Sequence, residues 1–104
     1  MTEEPNGEAE DPSAETDVEE IQDIQPMSFN IFVLSLNASA LIQLGEAADA
    51  SGESQVSLPL ARQTIDILAM LEQKTRGNLS GEEERLLHQI LFDLRMRYSR
   101  RAGA

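Results

Sequence analysis

From Met27 to Gly45 the chain reads MSFNIFVLSLNASALIQLG, a run without a single charged side chain. No other stretch constrains the fold as much, because an uncharged segment of this length either crosses a membrane or must be covered by protein. Ser28, Asn30, Ser35, Asn37, Ser39 and Gln43 interrupt it, and no Lys or Arg flanks it closely. A spanning helix wants about 20 predominantly apolar residues with anchoring flanks, so a membrane span is not the expected reading. On a helical wheel the run carries two apolar stripes. Phe29, Val33, Leu36, Ala40 and Leu44 form one, and Ile31, Leu34, Ala38, Leu41 and Ile42 form the other. Asn30 and Asn37 lie in one seam between them, with Ser35, Ser39 and Gln43 near the opposite seam. A helix that is apolar on two sides needs cover on two sides. Ser28 suits its N-cap and Gly45 its C-terminal stop.

Two further helices follow from periodicity and punctuation. Glu46 to Ser57 (EAADASGESQVS) is small, polar and Gly-containing, and reads as a flexible connection. Glu46, Asp49 and Glu53 lie close together in it, but the ligand order of an EF-hand is missing, so a solvated loop is expected there. The second helix begins near Ser57, with Pro59 tolerated in a first turn that has no use for its N–H. Leu60, Ala61, Thr64, Ile65, Ile67, Leu68 and Leu71 gather on its broad apolar arc, opposite Arg62, Gln63, Asp66 and Gln73. Gly77 ends that helix, and a connection of only Asn78 and Leu79 predicts an antiparallel neighbour. Ser80 followed by Glu83 matches a capping box. Glu82 to Glu84 suit the positive end of the third helix dipole, and Arg95, Arg97, Arg100 and Arg101 the negative end. Its apolar face is Leu86, Leu87, Ile90, Leu91, Leu94 and Tyr98, whereas Phe92 and Met96 project from another side beside Arg85, His88 and Gln89.

The net charge of −11 is not spread along the chain. Residues 1–27 hold ten acids and no Lys or Arg, leaving nine acids against eight bases in the remainder, a formal charge of −1. A segment this acidic and this poor in large apolar residues is expected to be disordered. Its start, MTEEPNGEAEDP, lacks the basic and apolar regions of a secretory signal. There is no cysteine, which removes disulfides, thiolate metal sites and cysteine nucleophiles and suits a reducing compartment. A cytoplasmic location is expected.

The ordered series FVLSL (32–36), SALIQLGE (39–46), LPLARQTIDIL (58–68), MLEQKTRGNLS (70–80), EEERLL (82–87) and LFDLRMRY (91–98) resembles a bacterial family catalogued as domain of unknown function 1844. The resemblance runs from about Phe29 to Tyr98 and implies a short helical cytoplasmic protein with a variable, often charged N-terminal extension. It implies no activity, ligand or catalytic residue. Gly81 departs from the Pro or stiffer residue expected after the capping hydroxyl, which leaves the third helix start more prone to fray.

The remaining polar groups give little chemistry. Arg62 and Asp66, at i, i+4, can pair on the surface beside Gln63, for about 0.2–0.5 kcal/mol. His88 follows Glu84 by four residues, but one histidine and one carboxylate do not make a metal site. The arginines around Tyr98 have a phosphate-binding composition, yet helix termination explains them and the acidic segment opposes nonspecific nucleic-acid binding. That segment's DVEEIQDIQ (17–25) has the composition to fold back on them, although a free segment is the simpler expectation.

The expected architecture is an all-α domain over residues 28–101, a long first helix packed on an antiparallel hairpin of the other two, after a disordered acidic tail at 1–27. The expected function is a noncatalytic interaction and self-association module without a cofactor or metal, a homodimer formed through Ile31, Leu34, Ser35, Ala38, Leu41 and Ile42. Arg62, Gln63, Asp66, Phe92 and Met96 are its candidate partner surface. The alternatives are a small-ligand protein or enzyme, which requires converging polar groups in a pocket, and a membrane-associated helical protein.

Overall fold

The uncharged run winds into a helix because its first turn is capped and its last is closed. In a computed structural model, which describes residues 26–103, Ser28 Oγ accepts the N–H of Ile31 at 3.1 Å and starts α1, Phe29–Gln43. At the other end Gly45 adopts a φ of +79°, and Gly45 N–H and Glu46 N–H bond back to the carbonyls of Ile42 and Leu41. This pair of bonds is the Schellman closure, which needs a residue free to enter the left-handed region. The expected long first helix is therefore 15 residues, shorter than α2 (Leu58–Lys74, 17 residues) and α3 (Gly81–Arg101, 21 residues). There is no strand among the described residues, and the fold is all-α. The segment expected to be disordered lies outside the described residues except for Pro26 and Met27.

Ser57 caps α2 through the N–H of Leu60, with Pro59 in the first turn. The capping box of α3 is complete: Ser80 Oγ accepts Glu83 N–H at 3.1 Å, and Glu83 Oε1 accepts Ser80 N–H at 2.8 Å. That reciprocal pair holds the start of α3 at Gly81, where the sequence favours fraying.

Each helix packs on the other two. One stripe of α1 enters the core, with Val33, Ala40 and Leu44 buried and Phe29 and Leu36 partly buried against them. They meet Ala61, Ile65 and Leu68 of α2 and Leu87, Ile90, Leu91 and Leu94 of α3. Leu60, placed by periodicity on the apolar arc of α2, instead faces outward, half exposed. Being one turn before Thr64, it contributes its carbonyl to the Thr64 hydroxyl at 3.1 Å while its side chain stays outside the contact.

Polar groups gather where α1 ends, α2 begins and α3 ends. Ser57 N–H donates to the Gln43 carbonyl and Thr64 Oγ1 donates to Gln43 Oε1, both at 2.8 Å. Arg101 Nε donates to the Leu44 carbonyl at 2.8 Å, and Arg97 reaches Glu46 at 2.6 Å. The opposite end of α2 and α3 is the turn from Thr75 to Ser80.

Candidate functional site

Once the first stripe of α1 is spent on the core, the second faces outward over Ile31, Leu34 and Ala38, whereas Leu41 at its C-terminal end packs against the core. Ile31 and Leu34 remain 46% and 48% exposed, Ala38 and Ser35 are exposed, and Leu41 and Ile42 are partly buried. The self-association residues named from sequence thus lie together on one uncharged face, with Met27 exposed at its N-terminal edge. The Ser35 hydroxyl donates to the Phe32 carbonyl at 2.7 Å, so it presents little free polarity. Asn30 and Asn37 flank this face, and the Oδ1 of each is buried without a hydrogen-bond partner among the described residues.

The residues named as a partner surface do not converge. Phe92 (63% exposed) and Met96 (45% exposed) project from α3. Arg62, Gln63 and Asp66 are exposed on α2. Arg62 and Asp66 do not pair with each other; the Arg–carboxylate pairs among the described residues join Arg97 to Glu46 and Asp93. Asp93 first, and then Glu46, hold the Arg97 guanidinium more firmly charged.

The loop acids are likewise separated. Glu46 is held by Arg97, while Asp49 Oδ1 accepts Ser51 N–H, Ser51 Oγ–H and Glu53 N–H at 2.9, 2.6 and 3.0 Å. These donors, the Ser51 hydroxyl first, hold the Asp49 carboxyl below its usual range. No group of three or more potential metal ligands occurs among the described residues.

One concavity was not visible in the sequence. A cleft of about 430 Å³ opens at the Thr75–Ser80 end, between the last turns of α2 and the first turns of α3. Leu79 and Leu87 form its apolar lining, and Glu72, Arg76, Glu84, Arg85 and His88 its polar rim. His88 Nδ1 stands 4.0 Å from Glu72, not against Glu84, and its side chain is 77% exposed. The volume suits a small ligand or a few side chains. Its lining contains acids, cations and one imidazole but no hydroxyl or thiol nucleophile. The only hint in the sequence was that Glu72, Arg76 and Arg85 flank one turn; their convergence depends on how that turn folds. Similarly, Arg97 and Asp93 are readable as an i, i+4 pair, whereas the contact from Arg97 to Glu46 spans 51 residues.

No helix among the described residues is long and apolar enough to cross a membrane. No curated protein and no solved structure matches the chain. A family model, Domain of unknown function (DUF1844), matches residues 26–100, from the residue before Met27 to the last turn of α3. The three capped helices and the core they share are thus the part of the chain that the family describes, and the protein belongs to the DUF1844 family.

Proposed function

We propose that this domain is a noncatalytic self-association module of the cytoplasm, in which α2 and α3 form an antiparallel hairpin, α1 covers it, and two copies pair through the outward face of α1. The observation that carries this reading is the uncharged face on which Ile31, Leu34 and Ala38 stay exposed, with Leu41 and Ile42 partly buried at its C-terminal end, after the other stripe has entered the core. Two copies of one uncharged face meet without like-charge repulsion, and Ala38 and Ser35 permit close approach. An isologous pairing also uses the same patch twice, so one chain suffices to cover it. A chain without cysteine suits a reducing compartment.

Sedimentation of the full chain across micromolar concentrations tests this. A dimer that Leu34→Lys converts to monomer, with helical content unchanged, is the expected result. A wild-type monomer throughout that range overturns it.

A further inference from the structure

We propose that residues 17–25, DVEEIQDIQ, dock on the outer face of α3 of the same chain, with Ile21 and Ile24 against Phe92 and the cleft beside Leu79. Their carboxylates then face Arg85, His88 and Arg95. This contact uses a face distinct from the proposed α1 interface and stands independently of it.

Charge complementarity is the first support. From Arg85 to Arg101, α3 carries five arginines and one aspartate, and that aspartate, Asp93, is occupied by Arg97. Residues 17–25 carry four acids and no base. Within the cleft Glu72 and Glu84 offset Arg76 and Arg85, and Arg97 and Arg101 are engaged by Glu46, Asp93 and the Leu44 carbonyl. The attraction therefore comes from Arg95, exposed three residues past Phe92 on the outward side.

Apolar pattern is the second. Phe92 is the most exposed large apolar residue of α3, with Met96 one turn further on, and Arg85 and His88 lie on the same outward side. The segment that fits such a surface is apolar at regular intervals and acidic between them. Val18, Ile21 and Ile24 recur every third residue, interleaved with Asp17, Glu19, Glu20 and Asp23.

Reach is the third. The ends of α1 and α3 and the start of α2 meet at Gln43, Leu44 and Arg101. From there α1 runs about 22 Å toward its N-terminus with Phe29 still packed on the core, which brings Pro26 toward the end that holds the cleft. Ile21 precedes Pro26 by five residues, a span of about 17 Å when extended. The acidic segment therefore joins the fold at the end that holds the cleft, within reach of the outer face of α3.

The absence of cysteine makes a single spin label at Gln22→Cys in the full-length chain a direct probe. With isotope-labelled, spin-labelled protein diluted into excess unlabelled and unmodified chain, the amides of Leu79, Arg85, His88 and Phe92 are expected to broaden strongly. Arg85→Glu should reduce that broadening roughly threefold or more, since it replaces an attraction with a repulsion. Phe92→Ser, at an exposed position, should do the same with helical content unchanged, and serves if the charge reversal perturbs folding. Broadening limited to residues next to Pro26, centred on Arg100 and Arg101, or seen only between differently labelled chains overturns the proposal. Insensitivity to both substitutions overturns it as well.

Discussion

At the residue scale the most informative side chains are the two asparagines of α1. Their spacing of seven places both in the seam between the stripes, and this is readable from sequence. That each Oδ1 is buried without a partner among the described residues is not, because the neighbours that cover it come with the packing. An unpaired buried carbonyl forfeits its hydration, so Asn37→Leu, which keeps the number and branching of the side-chain heavy atoms, is expected to raise the unfolding free energy by about 1 kcal/mol. Chemical denaturation measures this, and an equal loss would show that the amide makes a favourable contact. Asp49 gives a second residue-scale expectation. Its carboxyl should titrate below the ordinary range, with Ser51→Ala moving it back, as read from the carboxyl carbon shift. A depressed value means that the loop contacts contribute stability above the ordinary carboxyl range and lose it as the pH falls through the folded-state value.

At the element scale, start signals were legible where they are local and reciprocal. Ser28, Ser57 and the Ser80–Glu83 box each act within one turn, so sequence alone places the helix starts. The closure of α1 was legible in part. Gly45 is readable as a stop, but its surroundings are tertiary: a Cβ there would collide with the Arg101 guanidinium and lie 2.8 Å from Val56 Cγ2. Gly45→Ala is expected to destabilise by about 1–2 kcal/mol from the left-handed backbone alone, and by more from the collision. In an Arg101→Ala background the loss should shrink toward the backbone contribution. A double-mutant cycle by thermal unfolding measures the coupling, and strict additivity would show that Arg101 simply moves aside.

At the scale of the whole molecule, the two proposed contacts should respond differently to salt. An apolar, uncharged α1 interface is expected to hold from low to high ionic strength, whereas the contact of residues 17–25 with α3 should weaken as charges are screened over about 10 Å at 0.1 M. Sedimentation and relaxation broadening recorded over one salt series separate them. A dimer that dissociates with salt would place charged groups in its interface, contrary to the α1 face.

What the sequence determined alone was the set of helices, because caps, glycine stops and apolar periodicity act over one or two turns. It also determined that α1 has more apolar surface than one neighbour covers. Which stripe of α1 turns inward, the outward setting of Leu60, the cleft beside Leu79 and the polar junction of Gln43, Thr64, Arg97 and Arg101 were decided only by tertiary structure. The reason is physical: helical periodicity gives the angle between faces within an element, while the face that meets the core depends on the volumes and partners that three elements present together.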